Sequence, residues 1–153
     1  MSESKDVFAA ASEVTGRAME AFFSYVPGGS YSFLLKCDRA VVRDLGVIAV
    51  SLYSIYKLTP VLERTIEGVV NRCLEHPRRD QDPPKTSPGS LHVKLRCLTD
   101  ERFLEVWRYY KSGKMKERLQ EEFSKSGIEV KGLKIEIENL EKVNETKRAI
   151  ESR

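Results

Sequence analysis

Hydrophobic and polar positions alternate with unusual regularity in two stretches of the chain. Leu91, Val93, Leu95 and Cys97 fall on one face of a period-two pattern, with His92, Lys94 and Arg96 on the other. Leu133, Ile135 and Ile137 repeat the scheme against Lys134, Glu136 and Glu138. Both stretches read as half-buried strands. A further strand is expected over Tyr31 to Cys37, with Tyr31, Phe33, Leu35 and Cys37 on one face and Ser32, Leu34 and Lys36 on the other. The stretch from Leu45 to Ile55 fits two periods at once. Val47, Ile48 and Val50 are β-branched and favour a strand, whereas Leu45, Ile48, Leu52 and Ile55 make a helical stripe. We read it as a strand.

Helical spacing accounts for most of the rest. Val7, Ala11, Val14, Ala18 and Phe22 predict an N-terminal helix from Lys5 to Tyr25 that ends before Pro27-Gly28-Gly29 and either docks on the domain, which we favour, frays as a terminal arm or lies against a partner. Thr59 can cap a helix whose first position is Pro60, where a missing N–H costs nothing. Its apolar stripe is Leu62, Ile66, Val69, Cys73 and Leu74, and it stops at His76-Pro77. Thr99 or Asp100 opens another helix carrying Phe103, Leu104, Trp107 and Tyr110. Ser112-Gly113 interrupts it as a kink or a break into two helices, and Met115, Leu119 and Phe123 carry the stripe on to Gly127. A short polar helix, Glu141 to Ser152, follows the last strand, anchored by Val143, Ala149 and Ile150. Residues 76–89 hold four prolines and almost nothing apolar, so they are expected to form a mobile loop. The organisation expected is an N-terminal helix and glycine turn over 1–28, then a single domain over 29–153.

Composition narrows the function classes. A chain of 153 residues can bury a core without staples, and Cys37, Cys73 and Cys97 sit on apolar faces with no CxxC pair, as reduced core thiols of a cytoplasmic protein would. The 26 basic and 23 acidic residues nearly balance, which gives no strong electrostatic argument for nucleic acid or anionic membrane. The opening MSESKDVFAAASEV has neither a basic stretch nor an unbroken apolar run, so it does not read as a secretory signal. The longest apolar run, Leu45 to Tyr56, is well short of the roughly 20 residues that span a bilayer.

The residues that could carry chemistry do not converge on a site. Pro27-Gly28-Gly29-Ser30 precedes a strand, whereas a phosphate cradle follows one and opens a helix. The carboxylates are interleaved with lysine and arginine at surface-helix spacing, and no serine or cysteine is matched to a base. His76 and His92, the only histidines, fall on a loop and a solvent face. We therefore expect a non-enzyme with no catalytic residues, no cofactor and no metal. The rival reading is an RNA- or DNA-binding α/β module using basic surface residues. Such modules stack bases on sheet aromatics, but the outward residues of the two clearest strands include no such ring.

The order and spacing of three local patterns resemble the N-terminal domains of tumour-necrosis-factor-receptor-associated death-domain adaptor proteins. They are Gly29-Ser30-Tyr31-Ser32-Phe33, then Leu91 to Cys97, and then Arg102-Phe103-Leu104 with Tyr110 to Gly113, Leu119-Gln120 and Leu133 to Glu138. The resemblance implies a two-layer α/β sandwich with a four-stranded antiparallel sheet covered by helices. It also implies an adaptor in death or innate-immune signalling that recruits TNF-receptor-associated factors. On this resemblance Tyr31 and Phe33 contribute to the partner surface; the bland reading of the same pair is that they are core. The family also uses a strand and turn just before the later strand, where this chain has the Pro-rich loop Asp80 to Gly89. The expected fold class is therefore α+β, a mainly antiparallel sheet of about four strands roofed by helices, plus the N-terminal helix. The expected function is docking a protein partner through a sheet face or edge.

Overall fold

Alternation along 29–36 turns Tyr31, Phe33 and Leu35 to one side, and the computed structural model pairs that segment on both edges. The structure describes residues 28–49, 52, 56, 59–87 and 91–152. The helix expected over Lys5 to Tyr25 lies outside the described residues. Strand β1 (Gly29–Lys36) is followed by β2 (Arg39–Val42) and β3 (Val47–Ala49), helix α1 (Pro60–Cys73), and strands β4 (Lys85–Ser87) and β5 (Leu91–Cys97). Helices α2 (Asp100–Lys111) and α3 (Lys114–Lys125), strands β6 (Ile128–Lys131) and β7 (Lys134–Ile137), and helix α4 (Leu140–Glu151) complete the order.

The principal sheet has four strands in the order β4-β5-β1-β7, all neighbours antiparallel. A second sheet runs β3-β2-β6. The two are parts of one ribbon, because β1 leads into β2 while β6 leads into β7, and each pairs with its counterpart. The ribbon bends where Asp38 meets Gly132. Gly132 has φ +69°, and a Cβ there would run into the Asp38 side chain, so only glycine fits the bend.

The helices start and stop as local chemistry dictates. The Thr59 hydroxyl accepts from the Leu62 N–H at 3.1 Å ahead of Pro60, and the Thr99 hydroxyl accepts from the Arg102 N–H at 3.0 Å. Gly113, at φ 85°, separates α2 from α3, so the interruption is a break into two helices. Ile66 and Val69 of α1, Phe103 and Val106 of α2, Leu119 and Phe123 of α3 and Val143 of α4 are fully buried, forming one core with the inward residues of the sheets. Each fully buried Leu, Ile or Phe contributes roughly 1.5–3 kcal/mol. The architecture is α+β, a mostly antiparallel sheet with helices packed on one face. No described helix is long and apolar enough to cross a membrane.

Several expectations change. Among the described residues of 45–55, Val47–Ala49 form a strand and Leu52 is helical. Strands β2, β4 and β6 are additional, each short and lacking a long alternating run. β4 lies inside the proline-rich segment expected to be a loop. Ahead of it Gln81 bridges to Cys97, the Asp82 N–H donates to the Arg96 carbonyl at 2.9 Å and the Leu98 N–H to the Asp80 carbonyl at 2.8 Å. Ala149, expected to anchor the last helix, is exposed, leaving Val143 and Ile150 to do so.

Candidate partner-binding face

Tyr31 and Phe33 are not surface anchors. They are 1% and 2% exposed, their rings stack at 5.3 Å, and Phe103 of α2 stacks on Tyr31 at 4.7 Å. The Tyr31 hydroxyl donates to the Phe103 carbonyl at 2.7 Å, and burial pushes its pKa well up. The physical reason for the correction is which side the helices roof: α2 and α4 pack on the face that carries Tyr31, Phe33 and Leu35. Among the described residues, what remains open is the other face of the same strands.

That face can be assembled from the register. Ser30, Ser32, Leu34 and Lys36 of β1 stand opposite Arg96, Lys94 and His92 of β5 on one side and Glu136 and Lys134 of β7 on the other. Across β5, Lys85 of β4 is directly opposite Lys94. The β1/β7 half is balanced in charge. Lys36 pairs with Glu136 at 3.2 Å, while Glu138 accepts from the Ser32 hydroxyl at 3.2 Å and meets His92 Nδ1 at 2.6 Å. The β4/β5 half is not balanced. Lys85, Lys94 and Arg96 have no ion-pair partner among the described residues, and they line a groove of about 440 Å³ with Ser30, Ser32 and Asn139, where Asp82 is the sole carboxylate.

The walls of this groove are held by hydrogen bonds. Asn139 bridges β1, accepting from the Ser32 N–H at 2.9 Å and donating to the Ser30 carbonyl at 3.0 Å. Behind β4, Arg102 is 3% exposed and donates to Gln81 Oε1 at 2.8 Å, to Glu105 at 2.6 Å and to the Leu74 carbonyl at 3.1 Å. Gln81 donates in turn to the same carbonyl at 2.8 Å. Arg78 grips Asp80 through two bonds of 2.7 and 2.8 Å, which holds that carboxyl below the usual carboxylate range. These contacts fix 78–82 and so aim Lys85 at Lys94.

The cysteines lie elsewhere. Burial pushes the Cys73 thiol up to about 11 and the Cys97 thiol to about 12, so both are protonated at neutral pH and are not poised as nucleophiles. Half-buried Cys37 shifts in the same direction, again through burial. Among the described residues no group of three or more histidine, cysteine, aspartate or glutamate side chains is arranged to hold a metal. His76 Nδ1 is buried without a hydrogen-bond partner, the one such side-chain atom among the described residues.

Alternation alone had placed His92, Lys94, Arg96 and Lys134 on the solvent side. Lys85 was hidden, because a three-residue edge strand between prolines carries no periodic signal. No protein-family model matches the chain, and neither a curated protein nor a solved structure matches it.

Proposed function

We propose that the chain is a non-enzymatic protein-interaction domain, an adaptor of intracellular death or innate-immune signalling, which docks an acidic surface of a partner protein on the open face of its four-stranded sheet. The observation that carries the reading is the directly opposed pair Lys85 and Lys94, with Arg96 beside them and no carboxylate paired to any of the three among the described residues. Like charges facing each other across strands cost stability, so a fold that keeps them answers to something outside itself. Docking requires no bond making, and the polar rim of Ser30, Ser32 and Asn139 supplies hydrogen bonds for register.

The resemblance to the death-domain adaptor N-terminal domains supports the signalling setting and a TNF-receptor-associated factor as partner. With Tyr31 and Phe33 interior, the partner would meet the reverse side of β1. Nucleic acid would also be drawn to the cations, but among the described residues the open face offers no Phe, Tyr or Trp on which a base could stack.

The test is affinity purification from the source cell with the natural chain and with Lys94→Glu plus Arg96→Glu. Exposed charge reversals leave the melting temperature within about 3 °C, and a specific protein, acidic on its docking surface, should disappear from the captured set. Identical captured sets would overturn the reading. So would steeply salt-dependent binding of a single-stranded oligonucleotide that the same reversals abolish, which would assign the face to nucleic acid.

A further inference from the structure

Strand β7 ends the principal sheet, so among the described residues one of its edges faces no other strand. The hydrogen-bond parity tells which residues point outward there. The Glu138 N–H donates to the Ser32 carbonyl at 2.7 Å, and Leu34 and Lys36 stand opposite Glu136 and Lys134. Even-numbered residues of this strand therefore spend their backbone groups on β1, and Ile135 and Ile137 direct theirs away from the sheet. Among the described residues nothing bonds to them. The neighbouring strand β6 is treated differently, since Gln120 of α3 donates to its Val130 carbonyl at 3.4 Å.

Natural sheets blunt or cover such an edge. Here a groove of about 430 Å³ runs beside it, walled by Tyr110, Lys111, Gly113 and Lys116 from the α2–α3 turn. The charges are one-sided: Lys111 leans over the Trp107 ring at 5.6 Å, Lys116 and Lys134 are unpaired among the described residues, and Glu136 is already held by Lys36.

We infer that β7 accepts an extended, acidic segment of a partner protein as an added strand, its backbone bonding to Ile135 and Ile137 and its carboxylates facing Lys116 and Lys134. The four residues of β7 run roughly 13 Å, enough for about four residues of peptide. Antiparallel pairing of β7 with a second copy would set Lys134 against Glu136, a carboxylate that Lys36 already holds at 3.2 Å, so a second copy is the poorer occupant by charge. This surface meets the open face at Lys134, but β1 lies between it and Lys85, Lys94 and Arg96, so variants on the two sides test the two readings apart, and a chain with both surfaces could hold two polypeptides at once.

The experiment is NMR on the ¹⁵N-labelled full chain titrated with the probe peptide acetyl-Val-Glu-Glu-Val-Glu-Glu-amide, whose adjacent glutamates fall on both faces of an added strand. Binding should slow amide exchange at Ile135 and Ile137. Lys116→Glu with Lys134→Glu should weaken it about tenfold, and Lys94→Glu on the open face should leave it unchanged. The inference is overturned by absence of binding at millimolar peptide, by equal binding of the lysine-for-glutamate peptide, or by perturbation confined to β4 and β5. Protection of the Ile135 amide before any peptide is added would also overturn it. Concentration dependence of that protection would identify a second copy as occupant, and its independence of concentration would identify another segment of the same chain.

Discussion

Tyr31 joins two kinds of interaction in one side chain. Its ring is held between Phe33 and Phe103, and its hydroxyl satisfies a helix carbonyl that would otherwise share only the helix's own bond. Truncation would remove the ring and leave a cavity, whereas a surface anchor would cost binding and little stability. Tyr31→Ala or Phe33→Ala should therefore cost about 3–5 kcal/mol and lower the melting temperature by about 10 °C, measured by calorimetry. A change of only a few degrees would return the pair to the surface. Gly28 works at the same scale through absence: at φ +76° its missing Cβ would collide with the Cys97 carbonyl, and its N–H donates to Asp100 at 2.7 Å.

Elements are tied together by a few charged clamps over an apolar contact. Glu122 of α3, nearly buried, accepts from Arg72 of α1 at 2.7 Å and from Arg118 of its own helix at 3.1 Å. The Arg72 bond, then that from Arg118, holds its carboxyl below the usual glutamate range. A carboxyl that ionises more readily folded than unfolded stabilises the fold fully above its unfolded pKa, and this contribution is lost as pH falls through the lower folded value. Chemical denaturation should accordingly show stability falling from about pH 4.3 downward, with Glu122→Gln flattening that part of the profile and costing about 1–2 kcal/mol at neutral pH. An unchanged acid limb in the variant would mean that the clamp contributes nothing. The α2–α3 break at Gly113 belongs to this scale too, because it carries the turn past the sheet to wall the groove beside β7.

At the scale of the molecule, the bent ribbon of β1–β2 and β7–β6 gives both sheets a common pair of strands, and the helices fill one core against them. The sheets should therefore melt together: Trp107 fluorescence and far-ultraviolet circular dichroism should trace one transition with a common midpoint, and two separated midpoints would mean that β3-β2-β6 folds on its own. One-sided roofing also leaves, among the described residues, an open polar face and an unpaired edge, the two surfaces on which docking is proposed. Sequence by itself determined which residues share a face in β1, β5 and β7 and in the apolar stripes of α1 and α3, and that Thr59 starts a helix, because these patterns repeat within a few residues and follow backbone geometry; it left open whether Thr99 or Asp100 caps α2 and whether Gly113 kinks or breaks, and it misplaced Ala149. It left Tyr31 and Phe33 undecided between core and surface, since alternation names two faces without saying which one helices cover. Only the tertiary structure decided that. It also decided that β2, β4 and β6 find partners, and that Lys85, Lys94 and Arg96 become neighbours, because strand register joins segments whose relation no local period records.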